Sequence, residues 1–453
     1  MNQTLLFILG VVLLMIGVGA SIAIHEFGHM YPAKKFGVLV TKYMIGFGPT
    51  IKSWRRGETE YGFKLIPLGG YISIVGMFPG APTDEASGDA VSQTGTSVQK
   101  SKLRAPKFWR DLVAQAREAN AEQSGSVPKN RWFTSLPIYK RLIIMFGGPF
   151  MNLVFGTALL FVALGVIGTP AMGTSIAKVY NCVPSDQIKF HCVSTDPVSP
   201  AKTAGIRAND KVVSFNGVAA SRWSDISGEL ANRVGVPTTI TVLRDGKNLN
   251  LTVSPVAVQV PLYSNSGKVL TDANGNPLTE LHPFIGVQLK PAMIALSGGQ
   301  VVGEIGTQLS GTVGLIAALP AEVAQMAGAT FGGADRNANG PVSLIGVGQI
   351  AGQVASSPEL DLTQKLGAGL SLLASLNFAL FVFNLIPLLP LDGGHMAAGI
   401  FESIKKIVFK IRRKTWRGPV DLTKLVPLTY AMWLVLMGMS LLFIVADIVK
   451  PLA

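Results

Sequence analysis

Residues 5–31 set the terms for the whole chain. They form an apolar run long enough to cross a bilayer as a helix, and the run closes on His25-Glu26-Phe27-Gly28-His29. Ionisable groups in such a segment are expensive and mark function. Positions i and i+4 of a helix share a face, so His25 and His29 point toward one metal ion. Glu26, beside the first histidine, is placed to take a proton from a metal-activated water. The chain holds only five histidines, which makes a chance H-E-x-x-H rare. Its place at the end of an apolar span makes chance rarer still.

At 453 residues the chain exceeds one ordinary core. Hydrophobic residues make up 48% and charged residues 14%, the balance of a membrane protein with soluble parts. A net charge of +13 also suits nucleic-acid binding, but the basic residues cluster at 34–56, 100–141 and 405–417, each beside an apolar run. That is the positive-inside pattern, so these segments are expected in the cytoplasm and no nucleic acid is expected as a partner. Residues 1–4 carry no basic side chain and the apolar run is too long for a cleaved signal, so the first span reads as retained, with its N-terminus outside.

Four core spans are expected, at 1–35, 142–170, 368–400 and 426–453, giving a polytopic α-helical membrane protein. Between the first two, Gly46, Gly48-Pro49, Gly57, Gly62, Pro67 and Gly69-Gly70 cut residues 36–80 into short strand-like runs at 42–45, 61–66 and 71–75. Non-helical backbone beside a membrane must be buried or line a wet cavity. The segment therefore reads as a membrane-associated β-hairpin sheet dipping in at the active site, with an edge able to take a substrate segment as an added strand. An ordinary interfacial loop is the alternative. Residues 81–141 read as a cytoplasmic insert with a helix at 106–120 suited to the membrane surface or to another cytosolic element. The second span contains Gly147-Gly148-Pro149 and Asn152. Asn152 is expected to bond a neighbouring helix or loop and not to be catalytic.

Residues 171–258 read as an extracytoplasmic α+β module. Strands are expected at 175–180, 210–215, 238–244 and 249–254, with turns at Asn216-Gly217 and Asp245-Gly246 and a helix at 224–233. The pattern is PDZ-like, fit to bind a peptide or protein C-terminus beside a strand edge. The stretches Ser199-Pro200-Ala201-Lys202-Thr203-Ala204-Gly205-Ile206 and Asn209-Asp210-Lys211-Val212 resemble the PDZ modules of bacterial envelope proteases. Cys182 and Cys192 share a loop of this module, where a disulfide is allowed and expected. His191 and His282 read as ordinary surface residues. Residues 259–367 open with a polar loop, and 291–329 is rich in Gly and Ala and broken. The pieces are expected to lie on the outer membrane surface; an extra hairpin of two short spans is the alternative.

The third span ends in Asn384-Leu385-Ile386-Pro387-Leu388-Leu389-Pro390-Leu391-Asp392-Gly393-Gly394-His395, followed by a basic cytoplasmic loop at 401–425. The prolines break the helix and free backbone carbonyls near the bilayer. A catalytic zinc site holds three protein ligands and one open position. His25, His29 and Asp392 supply the three, with one Zn2+ per chain and Glu26 as general base. His395 is a rival ligand; Asp392 is preferred because the following glycines free its approach. Asn384 is expected to hold the substrate backbone or the oxyanion, or else to bond backbone freed by Pro387. Two other classes compete with a protease. A zinc-containing scaffold working through its PDZ module needs a closed four-ligand site, and a metal transporter needs several polar spans.

The H-E-x-x-H in the first span, Pro67-Leu68-Gly69-Gly70-Tyr71, the PDZ-like module and Asn384…Leu391-Asp392-Gly393 together resemble the site-2 protease family over nearly the whole chain. The likeness is strongest to its bacterial envelope-stress members with four core spans and one PDZ domain. It implies intramembrane proteolysis of single-span membrane proteins, such as anti-sigma factors trimmed outside by another protease. It implies zinc on His25, His29 and Asp392, with Glu26 as base, in a bacterial plasma membrane. The family's second proline often stands one residue earlier, where this chain has Leu389, which touches the carry-over at Asn384 more than at the metal.

Overall fold

The computed structural model describes residues 2–77, 127–184, 192–262, 269–272, 275–333, 336–337, 340–413 and 425–450. The helix expected at 106–120 and His191 lie outside them. The chain splits into two compact units, one of Met1–Ala163 with Gly298–Ala453 and one of Leu164–Ser297.

In chain order the helices of the first unit are α1 (Gln3–Lys35), α2 (Ile138–Leu160, running on as a π-helix over Phe161–Ile167), α3 (Gly298–Phe331), α4 (Leu344–Ser356), α5 (Leu362–Asn384), α6 (Asp392–Ile411) and α7 (Val426–Val449). Of these, α1, α2, α3, α5 and α7 are long and apolar enough to cross a membrane. Local chemistry fixes the ends. Asn2 caps α1 by accepting from the Thr4 N–H, and Lys34 and Lys35 lie in its last turn, where cations favour the helix dipole. Gly37 then takes φ +82°, a conformation that stops a helix. Asp361 and Gln364 form a reciprocal capping box at the start of α5.

The continuity of α3 corrects the expectation of broken pieces at 291–329. Each glycine inside a helix costs only about 1 kcal/mol against alanine, and toward the C-terminal end Met326 is buried against Phe443 and Ala446 of α7.

Three helices surround the first unit's polar centre in a definite register. α1 and α2 cross antiparallel at Gly28 and Gly147, so close that a Cβ on Gly147 would sit 2.1 Å from the Gly28 carbonyl oxygen. α1 and α5 run in the same sense: Gly17 meets Leu373, and one turn on the Asn377 amide donates to Ser21 Oγ at 2.9 Å. α2 meets α5 where Gly156 faces Asn377 and Phe378. Small residues at these crossings let the backbones approach, which in lipid supplies the packing that apolar burial supplies in water.

Residues 36–80 do form a hairpin, from β1 (Val40–Arg56) and β2 (Thr59–Ile74), turned at Gly57. The strands are longer than the expected runs. Their glycines bend the chain without ending it, so residues 42–45 pair with 70–73 on one side and 60–63 on the other. Residues 52–56, outside the expected strand-like runs, pair with 59–63 beyond. The sheet is pinned to α1 by Tyr43, whose hydroxyl donates to the Ala23 carbonyl at 2.6 Å.

The second unit is built on a six-stranded sheet. Its strands are β3 (Thr169–Val179), β4 (Lys211–Phe215), β5 (Val218–Ala219), β6 (Thr238–Arg244) and β7 (Lys247–Val253); a separate pair is β8 (Val256–Pro261) and β9 (Thr279–Phe284); β10 (Val287–Ile294) returns to the sheet. The order is β10-β3-β4-β6-β7, with β5 on β4. Ile176, Val212, Phe215, Ile240 and Val242 alternate into one core with Ile226 and Leu230 of a short helix, Ser224–Ala231. Both expected turns are present, with positive φ at Asn216, Gly217, Asp245 and Gly246. The unit outruns the expected boundary at 258 because β10 is needed beside β3. Its carboxylate Asp210 is almost fully buried between two bonds from Arg244, at 2.7 and 2.6 Å. Burial pushes that carboxyl up, but Arg244 and the Arg207 N–H outweigh it and the pKa is lowered. Cys182 and Cys192 are joined, with Cα atoms 5.9 Å apart. His282 stands exposed on β9 beside Glu280.

Candidate metal centre

α1 presents His25 and His29 on one face near its C-terminal end, and α6 presents Asp392 at its first helical position. The structure brings the three together. His25 Nε2 and His29 Nε2 are 3.2 Å apart, and Asp392 Oδ2 is 3.2 Å from the first and 3.3 Å from the second. Among the described residues these three form the group of potential metal ligands whose ligating atoms converge.

Each side chain is held from behind. His29 is buried, and its Nδ1 lies 2.8 Å from the Ile144 carbonyl oxygen of α2. A carbonyl only accepts, so Nδ1 carries the proton and Nε2 turns its lone pair inward. The approach is possible because residue 148 is glycine: a Cβ there would sit 2.1 Å from His29 Nε2. His25 has its Nδ1 3.1 Å from the side-chain amide of Asn152, also on α2. Asp392 owes its place to the turn before it. A Cβ on Gly393 would lie 2.2 Å from the Ile386 carbonyl oxygen, and one on Gly394 would lie 2.5 Å from the Leu389 nitrogen. The two glycines thus let α6 begin in backbone contact with the 385–389 loop, a stronger role than the freedom of approach expected of them. Ten residues along α6, Glu402 makes a buried two-bond pair with Arg141 of α2, at 2.6 and 3.1 Å, which fixes the helix that carries Asp392.

Residues 13–420 match the model for Peptidase family M50. The chain belongs to this family, the site-2 proteases. Zinc metalloprotease Rip1 of Mycobacterium tuberculosis is 32% identical over 461 residues, covering 99% of each chain. Rip1 of Mycolicibacterium smegmatis is 31% identical over 471 residues, again covering 99% of each. Zinc metalloprotease RasP of Shouchella clausii is 25% identical over 425 residues, 84% of this chain and 87% of the relative. The protein is a multi-pass membrane metalloendopeptidase that uses Zn2+.

The donor set fits the ion that this M50 protease uses. Two ligand atoms of a tetrahedral zinc site, each at about 2.0 Å from the metal, stand about 3.3 Å apart. The three observed separations match that edge. Asp392 Oδ2 is moreover buried with no hydrogen-bond partner among the described residues, as a metal-facing oxygen is.

The remaining site residues divide. Glu26, half-buried, follows His25 on α1 and packs its Cγ against Gly70 of β2, so the hairpin borders the site through the Gly69-Gly70 stretch. His395 does not join the triangle; it lines a small cavity with Arg141, Met145 and Glu402. The Asn384 amide turns back on its own helix and donates to the Leu380 carbonyl at 3.0 Å, in place of the expected bond to backbone freed by Pro387. Asn152 bonds a neighbouring helix as expected, with His25 as its partner, whereas the contacts of Gly148 and Ile144 with His29 were not foreseen. Their one visible signal was Gly147-Gly148-Pro149 followed by a lone amide in an apolar span.

Gly148→Ala tests this construction. The added methyl displaces the His29 ring, and the expected result is a loss of zinc affinity of about tenfold or more, read by chelator competition on purified protein that still inserts and folds.

Proposed function

We propose that this chain cleaves single-span membrane proteins within or near the bilayer, at a zinc held by His25, His29 and Asp392. The observation that carries the proposal is the three-ligand triangle with sides of 3.2–3.3 Å at the end of an apolar helix. Three protein ligands leave one position open, as catalysis requires, whereas a structural site is closed by four. Bound zinc supplies Lewis acidity toward a peptide carbonyl and toward water. Glu26 takes the proton from the attacking water and returns it to the leaving amine nitrogen. The substrate must unwind to expose its peptide bond, and an edge of the β1–β2 sheet beside Glu26 is suited to hold it extended. Asn384 is proposed to reach the substrate backbone after giving up its bond to Leu380.

The helix register supports a topology. α1 and α5 run in the same sense and both lead into the site, while α2 runs opposite. The chain between α2 and α5 therefore starts and ends on one face of the membrane and crosses it an even number of times. α3 alone cannot be a complete crossing; it lies along the membrane or returns through α4. With Lys34, Lys35, Lys405 and Lys406 cytoplasmic, the face in question is the outer one of a bacterial plasma membrane. We place both termini and the second unit there, where the Cys182–Cys192 disulfide is stable.

The second unit is read as a PDZ-like domain that takes a peptide or protein C-terminus and screens out substrates with bulky external parts. Pre-trimmed anti-sigma factors fit that description. Excision is practicable, because Leu164 and Leu296 are joined by a 2.9 Å backbone hydrogen bond and their chain ends stay adjacent. Removing 169–294 is expected to relax the requirement for prior trimming. Unchanged dependence on trimming in reconstituted vesicles counts against the filter.

The chemistry is tested with Glu26→Gln on a reconstituted single-span substrate. The variant is expected to keep its zinc and lose cleavage by a factor of about 10²–10⁴. Equal cleavage by a zinc-loaded variant removes Glu26 from the mechanism.

A further inference from the structure

Asn152 is fully buried in an apolar helix, and nothing in the chemistry above uses it. Its amide nitrogen lies 3.1 Å from His25 Nδ1, and its Oδ1 is buried with no partner among the described residues. His25 meets the triangle with Nε2. To hold a metal, Nε2 must present a lone pair, so the ring proton must sit on Nδ1. Nδ1 is then a donor and needs an acceptor. Half a turn of the Asn152 amide exchanges its oxygen and nitrogen without changing its shape, and sets the unpartnered oxygen against Nδ1–H.

We propose that Asn152 is the positioning residue of His25: its amide oxygen accepts the Nδ1 proton, fixes the ring's tautomer and orientation, and aims Nε2 at the metal. The proposal rests on the reading of His25, His29 and Asp392 as the metal site. His29 supplies its parallel, since its Nδ1 donates to the Ile144 carbonyl. Both acceptors belong to α2, eight positions apart in sequence, so α2 orients both histidines of α1. The Ile144 acceptor is backbone and survives mutation; the Asn152 acceptor does not.

The test measures zinc affinity of the full-length protein by chelator competition, with Glu26→Gln as parent so that turnover plays no part. Asn152→Leu keeps the size and removes the acceptor. Asn152→Asp keeps an acceptor at the same place. The expected result is a loss of about 10–100-fold in the Leu variant and rescue to within about threefold of the parent in the Asp variant. A Leu variant that folds and binds zinc like the parent overturns the proposal, as does an Asp variant that loses as much as Leu. If the Leu variant does not fold, the Asp variant decides alone: retention supports the proposal and a tenfold loss overturns it. A parent that binds no zinc overturns the metal reading itself, which is a different failure and is seen before any variant is compared.

Discussion

The site depends on how closely two membrane helices can approach. At Gly28 and Gly147 the backbones of α1 and α2 touch, with no room for a side chain on either. That crossing puts the Ile144 carbonyl within reach of His29 and the Asn152 amide within reach of His25. A helix pair separated by ordinary side chains stands 8–10 Å apart, and at that spacing both histidines lose the groups behind them. The H-E-x-x-H sequence puts two imidazoles on one face; the glycines on α2 convert that face into a metal-binding geometry.

Asp392 is placed by a different device. Its helix is gripped twice, by backbone contact at Gly393 and Gly394 and by the Arg141–Glu402 pair farther along. A buried ion pair is weak evidence for stability, because desolvation offsets much of its attraction. Its value here is directional: two parallel hydrogen bonds fix the rotation and depth of α6 against α2. The same helix therefore references all three ligands. Elsewhere buried polar side chains also meet one another, as Ser21 meets Asn377 and Arg336 meets Asp447, since a polar group without any partner is costly where water is excluded.

Much of this was legible because the constraints are local. A bilayer-length apolar run, an i, i+4 histidine pair, and turns at Asn216-Gly217 and Asp245-Gly246 are fixed by a few neighbouring residues, and those features appear where expected. What was not legible depends on partners far away in the chain. β10 contains Pro291, a poor strand residue, and is recruited by β3 more than a hundred positions earlier. α3 is rich in glycine, and the contact it makes with α7, around Met326, joins residues more than a hundred positions apart. Asn152 is expected to bond a neighbouring element, but its partner, His25, emerges only from the register of α2 on α1. The bend that lets residues 42–45 pair on both sides came from glycines that read as breaks.

Catalysis at this site requires a three-ligand centre of two imidazoles and one carboxylate. Zinc X-ray absorption on the full-length protein, wild type and His395→Ala, tests it most directly. The predicted result is a sulfur-free shell of nitrogen and oxygen at about 2.0–2.2 Å, with scattering from two imidazoles, unchanged by the substitution. A third imidazole that disappears in His395→Ala would contradict it, since the metal would then hold a fourth protein ligand in the position a catalytic site keeps open.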